Sequence, residues 1–200
     1  MISNMGCNIS KKTLDEAKGG DPENDKKVLF LGLDNAGKST LLFQMRDNSF
    51  KETVPTVGLN VEQIQYKSNN FTLWDVSGQA TRLWKHYFDK IHAVIFVIDS
   101  ADRERMQKAK VLLHRCFSDK DLKDAPILVF ANKQDMDEKM SAEEIYENLQ
   151  ITNVLASGSK ENILFQTCSA KTGDGIWEGM QQLSDTLDSL PAKVLDTSTV

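Results

Sequence analysis

The chain has 200 residues, 40% hydrophobic and 26% charged, enough to bury one core and too apolar for a wholly disordered or collagen-like polymer. Twenty-four basic residues against twenty-nine acidic ones leave a net charge of -5, the wrong sign for a protein that neutralises nucleic-acid phosphates, so no nucleic-acid partner is expected. Cys7, Cys116 and Cys168 are odd in number and widely spaced, no apolar leader opens the chain, and the apolar run 93–98 is far too short to cross a membrane; a monomer in the reducing cytosol is expected.

Residues 1–25 read as a mobile N-terminal extension. They are polar, with Gly19, Gly20 and Pro22, and Ile9 and Leu14 give little apolar face to the short helix that Thr13 and Glu16 could cap. Order is expected from Lys27. Val28 to Leu31 form the kind of apolar run that is buried on both faces of a parallel sheet, and a glycine-flanked loop then opens a helix near Lys38. Leu59–Tyr66 and Phe71–Val76 read as an antiparallel hairpin that turns at Ser68-Asn69-Asn70. Further strands are expected at Ala93–Ile98, Ile127–Ala131 and Ile163–Thr167. Between them lie helical patterns at Arg103–Phe117, Ser141–Leu149, opened by a Ser141/Glu144 capping box, and Gly175–Leu190. Strands alternating with helices make this a parallel α/β sheet. Pro191 stops the last helix, and a short polar C-terminal tail covers residues 191–200.

The segment Gly32-Leu33-Asp34-Asn35-Ala36-Gly37-Lys38-Ser39 fits G-x-x-x-x-G-K-[ST] and falls between an expected strand and an expected helix, where its mechanism requires it. Backbone amides from Asp34 through Thr40 can curl around phosphate oxygens, helped by the positive end of the helix dipole. Lys38 would reach the β and γ phosphates, and the Ser39 hydroxyl would ligate Mg²⁺.

ATPases and small-molecule kinases share such a loop, so the base must be read elsewhere. Asn132-Lys133-Gln134-Asp135 follows the strand that ends at Ala131. The Asp135 carboxylate can accept from the N1–H and exocyclic amine of guanine, a donor pair that adenine lacks. The Lys133 stem can lie over the base, and Asn132 can tie this loop to the phosphate loop. Ser169-Ala170-Lys171 follows the last strand, where the Ala170 amide can meet guanine O6. Asp75, closing the third strand, can hold Mg²⁺ through water; beyond it the Gly78 amide can meet the γ phosphate and Gln79 can orient an attacking water. Thr56, in Pro55-Thr56-Val57-Gly58, offers a second hydroxyl to Mg²⁺.

With these motifs placed, the chain resembles a small GTPase of the Ras superfamily, within it the Arf/Arf-like family. The resemblance is carried by residues 32–39, by Pro-Thr-Val-Gly-Leu-Asn-Val-Glu at 55–62, Trp-Asp-Val at 74–76, Leu-Trp-Lys-His-Tyr-Phe at 83–88 and Asn-Lys-Gln-Asp at 132–135. It covers residues 26–190, which are taken as one GTPase domain. It implies a P-loop NTPase fold with a mixed, mostly parallel six-stranded sheet flanked by helices on both faces. It also implies switching between GTP and GDP with Mg²⁺, an exchange factor, a GTPase-activating protein, effectors, and a role in membrane traffic. In this family the hairpin between the switches slides in register on nucleotide exchange, and effectors dock on an apolar patch, here Val57, Leu59, Trp74, Leu83, Trp84 and Tyr87.

Three places depart from the family pattern. Ser77 stands where glycine is usual, beside Gly78; it either alters switching and hydrolysis or is tolerated as a small residue. Only Ala80-Thr81-Arg82 separates Gln79 from Leu83, about two residues fewer than the resemblance leads one to expect, which bears on how Gln79 is placed; with no evident arginine finger in the core motifs, slow hydrolysis is expected. The family's usual Met-Gly start is replaced by Met5-Gly6-Cys7-Asn8-Ile9-Ser10, which fits M-G-x-x-x-[ST] if translation begins at Met5. Gly6 would then be myristoylated and Cys7 palmitoylated, anchoring the protein peripherally on Golgi or other endomembranes; a chance match in an unprocessed leader is the alternative. His86, His92 and His114 lack metal-like spacing, and Cys116 and Cys168 read as small buried hydrophobes. Two rival functions stay open: a guanine-nucleotide-bound scaffold with negligible turnover, and a P-loop kinase of a small acceptor.

Overall fold

The computed structural model describes residues 25–51, 53, 54, 56, 58–158, 160 and 162–190. The N-terminal extension up to residue 24, Gly6 and Cys7 with it, the C-terminal tail, Pro55 and Val57 lie outside the described residues.

Six strands, β1 (Asp25–Leu31), β2 (Leu59–Tyr66), β3 (Asn69–Val76), β4 (Ala93–Asp99), β5 (Ile127–Asn132) and β6 (Ile163–Thr167), form one sheet in the order β2-β3-β1-β4-β5-β6. Only β2 and β3 pair antiparallel; every other pairing is parallel. This is the mixed, mostly parallel sheet of a Ras-like P-loop GTPase fold. Helices α1 (Lys38–Asp47), α2 (Met106–Ser118), α3 (Ala142–Asn148), α4 (Ile151–Ala156) and α5 (Ile176–Ser189) cover it.

The central strands read as unbroken apolar runs because successive side chains leave on opposite faces and both faces are buried. Val28, Phe30, Ile95, Val97, Leu128 and Phe130 meet α1 and α5 on one side. Leu29, Leu31, Val94, Phe96, Ile98 and Val129 meet α2, α3 and α4 on the other. Each such side chain contributes roughly 1.5–3 kcal/mol on leaving water. The parallel strands β1, β3, β4, β5 and β6 end at the same edge of the sheet, which places the loops after them together.

Four local readings are corrected. The hairpin turns at Lys67-Ser68, with Lys67 at φ 54, while Asn69 and Asn70 belong to β3. The reason is tertiary: the buried Asn69 side-chain amide donates to Ser184 Oγ (3.0 Å) and Asp188 Oδ1 (2.9 Å) on α5. The first strand starts at Asp25, two residues before Lys27, where the Asp25 carboxylate accepts from Thr72 on β3. Helix α2 starts at Met106 instead of Arg103, since Asp102 Oδ1 accepts from the Arg105 amide and holds the preceding residues in a turn. A further helix, α4, and 3₁₀ turns at Thr81–Tyr87 and Lys120–Leu122 have no strong sequence period.

Candidate functional site

The loops that follow the parallel strands enclose a cleft of about 410 Å³ at the carboxyl edge of the sheet, the usual ligand position in an open α/β sheet. Residues 34–40 form its floor. Asn35 (φ 64) and Gly37 (φ 91) adopt left-handed backbone there, alternating with ordinary residues so that successive amides point into a common concavity. A Cβ on Gly37 would meet the Asn132 side-chain amide at 2.4 Å, so glycine is needed for packing as well as for φ. Lys38, at 6% exposure, donates its ammonium to Gly32 O (3.2 Å) and Leu33 O (3.0 Å), leaving the third proton for an anion in the cleft. Burial lowers its pKa despite the nearby Asp75 and Asp34 carboxylates.

At one end three oxygen-bearing side chains from distant segments converge. Ser39 Oγ donates to Asp75 Oδ2 at 2.5 Å, Thr56 Oγ1 donates to the same oxygen at 3.1 Å, and the two hydroxyls lie 2.8 Å apart. The buried Asp75 Oδ1 makes no hydrogen bond among the described residues. Burial raises the Asp75 pKa against the pull of Ser39, Lys38 and Thr56. Two hydroxyls and a carboxylate with an unsatisfied oxygen suit a hard cation that takes oxygen ligands, and the donor set fits Mg²⁺. Beside it, Gly78 packs against the phosphate loop so closely that a Cβ would lie 2.3 Å from the Asp34 amide nitrogen. Ser77 is buried with ordinary backbone angles and is held from both sides: its amide donates to Gly58 O (3.1 Å), and its carbonyl accepts from Trp84 Nε1 (3.1 Å). Gln79 lines the cleft and is exposed.

At the other end the base-reading loops are tied together. Asn132 donates through Nδ2 to Ala36 O (2.9 Å) and accepts at Oδ1 from the Ala170 amide (2.9 Å), joining three loops with one side chain. Ser169 Oγ donates to Asp135 Oδ1 (2.6 Å), and Lys171 lies 3.6 Å from the other carboxylate oxygen. Burial would raise the Asp135 pKa, but the Ser169 hydrogen bond, a backbone bond and Lys171 outweigh it and keep the carboxylate ionised. Lys133 takes a left-handed backbone (φ 68) and pairs with Asp99 Oδ2 at 2.6 Å. Strain of this kind persists where surrounding contacts over-determine it.

Residues 11–187 of the sequence match the family model described as ADP-ribosylation factor family. The chain belongs to the ADP-ribosylation factor family. It is also similar to the solved structure of the Arl6 BBS3 small GTPase from Trypanosoma brucei with bound nucleotide analogue GppNp, at 31% identity and a TM-score of 0.73, over 82% of this chain and 98% of that one. As an Arf-family protein the chain is a P-loop small GTPase, a GTP-binding switch, and the kinase alternative falls away.

All the positions singled out for nucleotide and metal that lie in this Arf-family domain border the one cleft or bond to residues that do. The apolar patch is different. Trp84 is buried in the core, edge-on to Phe96, and only Leu83 of the described set is largely exposed; Leu59, Trp74 and Tyr87 are half-buried. Phe50, Val54 and Met136, exposed apolar residues on the cleft rim, carried no motif and were missed by sequence reasoning. Asp99 and Arg105 were missed as well; the spacing of Asp102 three residues before Arg105 is the signal that a capped turn precedes the helix. Among the described residues no group of three His, Cys, Asp or Glu side chains could hold a metal, and no helix is long and apolar enough to cross a membrane.

Proposed function

We propose that the chain alternates between GDP- and GTP-bound states with Mg²⁺, hydrolyses GTP slowly, and recruits effectors while GTP is bound. The observation that carries this reading is the meeting of Ser39, Thr56 and Asp75, because it joins the loop between α1 and β2 to the phosphate loop and to the end of β3. A group that joins the cluster when a metal-bound γ phosphate is present, and is released without it, couples nucleotide state to loop position. Bound Mg²⁺ would supply charge neutralisation to the phosphates, held by the Ser39 and Thr56 hydroxyls directly and by Asp75 through water.

Asp135 selects guanine by accepting from its two donors and Lys133 covers the base, with Ser169 and Lys171 holding Asp135; the Ala170 amide, which donates to Asn132 Oδ1, shares its proton with O6 when the base is bound. The amides of residues 34–40 and the Lys38 ammonium hold the phosphates, and the Gly78 amide meets the γ phosphate. Gln79 orients water for in-line attack: a water oxygen bonds to the γ phosphorus, the bond to the β–γ bridging oxygen breaks, and GDP, inorganic phosphate and a proton result. Two observations support a low rate. Gln79 is solvent-exposed, and Arg105, which reaches the phosphate loop, is occupied by Asp34 and Asp102. The same observations favour the scaffold reading as the second choice.

Family membership supports a role in membrane traffic with an exchange factor and an activating protein, and the Met5–Ser10 motif supports acylation at Gly6 and Cys7 when translation starts at Met5. Nucleotide affinity of the purified protein, GDP and GTP against ATP with and without Mg²⁺, followed by single-turnover hydrolysis, tests the reading. Guanine-selective, Mg²⁺-dependent binding with measurable turnover is expected; binding without turnover selects the scaffold, and binding without base preference overturns the role of Asp135. Intact-mass analysis from cells with acyltransferases tests the anchor, and a chain beginning unmodified at Met1 overturns it.

A further inference from the structure

The connection from β4 to α2 carries none of the nucleotide contacts proposed above, yet it touches both ends of the cleft. At its start Asp99, the last residue of β4, accepts from the Ala101 amide (3.0 Å) through one carboxylate oxygen and pairs with Lys133 through the other (2.6 Å). At its end Arg105 reaches the phosphate loop. Arg105 Nη1 donates to Asp34 Oδ1 and Nη2 to Asp34 O, both at 3.2 Å, so the guanidinium fork grips one residue by side chain and main chain together. The fork is itself oriented: Asp102 Oδ2 accepts from Arg105 Nε at 2.5 Å, and Asp102 Oδ1 accepts from the Arg105 amide at 3.1 Å.

Asp34 is a sensitive place to hold. It precedes the left-handed Asn35, and its amide nitrogen is the atom against which Gly78 packs. Pulling on the Asp34 carbonyl fixes the orientation of the following peptide plane, whose amide belongs to Asn35 of the phosphate loop. The Arg105 side chain is about one-third exposed, so the pair adds little to overall stability. Its two-pronged geometry restricts direction, which a point charge would not do.

We propose that Arg105 is a positioning residue for the phosphate loop, acting through Asp34, so that it sets the grip on the diphosphate without setting the grip on the base. The proposal rests on the guanine-nucleotide reading above. Asp99, at the other end of the same connection, bears on Lys133 and serves as the internal contrast.

The test uses the full chain with Arg105→Ala, Arg105→Lys and Asp99→Asn, each checked by its nucleotide-free unfolding midpoint. Equilibrium dissociation constants are measured for GDP and for GMP, which shares the base and lacks the β phosphate. Arg105→Ala is expected to weaken GDP about tenfold and GMP less than twofold, the size of effect that sub-ångström misplacement of a binding group produces. Arg105→Lys keeps the charge and loses the fork, and recovers only part of the GDP affinity. Asp99→Asn weakens both ligands by the same factor and leaves their ratio at the wild-type value. An unchanged ratio in Arg105→Ala, whether neither ligand or both are weakened, overturns the proposal. Failure of the underlying reading is distinct: the wild-type chain would then bind neither GDP nor GMP.

Discussion

The two ends of the cleft are built on different terms. At the base end, Asn132, Lys133, Asp135 and Ser169 are bonded to other parts of the protein before any ligand arrives. At the metal end, Asp75 keeps a buried oxygen without a partner among the described residues, and Gln79 faces solvent. Preorganisation at the first end favours tight holding of any guanine nucleotide, because little ordering remains to be done on binding. Incompleteness at the second makes the protein responsive to what the phosphates carry, since a ligand shifts a conformational equilibrium only through groups that interact differently in the two states. Affinity and switching are thereby assigned to separate residues.

This division can be broken most visibly at Asp135. Asp135→Asn replaces one acceptor oxygen with a donor that opposes the guanine amine and suits the carbonyl of xanthine. GDP affinity is expected to fall roughly 10³-fold, with xanthosine diphosphate becoming the better competitor in a displacement assay; retained GDP preference would contradict the base-end assignment. Next in size is Gln79→Leu. Single-turnover GTP hydrolysis should slow roughly 10–100-fold while GDP affinity is unchanged, and equal rates in mutant and wild type would remove Gln79 from the chemistry.

Asp75→Asn sharpens the contrast through stability. Burial raises the Asp75 pKa in the folded protein, so its contribution to stability is full below the ordinary carboxylate range and is lost as pH rises through the raised folded value. Without metal or nucleotide the neutral asparagine is therefore expected to unfold at a higher temperature than wild type near neutral pH, by roughly 2–4 °C per kcal/mol gained in a chain of this size. The same variant should lose the effect of Mg²⁺ on GDP release. Calorimetry across pH and a release assay check the two halves. The smallest effect is expected for Ser77→Gly. Ser77 sits with an unstrained backbone and its amide and carbonyl are both bonded, so hydrolysis and GDP release should stay within about threefold of wild type.

The sequence was most informative where a single interaction dominates. β6 runs over the residues its apolar pattern marks, and β2 does the same, although both lie at the edges of the sheet and are only partly buried. The phosphate and base loops were readable from spacing, since their chemistry fixes residue types at fixed intervals. Where two long-range contacts compete, the pattern failed. Asn69 looked like a turn residue, but its amide is claimed by α5; Trp84 looked like a surface aromatic, but its indole N–H is claimed by the Ser77 carbonyl. Arg105 looked like part of a helix face until Asp102 and Asp34 set its direction. No local preference encodes a partner that lies 71 residues away in the chain.

The fastening of the hairpin tip to α5 has a mechanical consequence. Tyr66 stacks on Trp177 with centroids 5.2 Å apart, and Asn69, at 2% exposure, fills a polar socket made by Ser184 and Asp188. A shift of the hairpin by one residue would turn its inner face outward, so only even steps preserve the core, each about 7 Å long. Every such step must also withdraw Asn69 from its socket and offer Lys67 or Phe71, which cannot reproduce its bonds. A hairpin that slides on this frame would therefore move in discrete clicks, with the position seen here marked by a notch in the last helix.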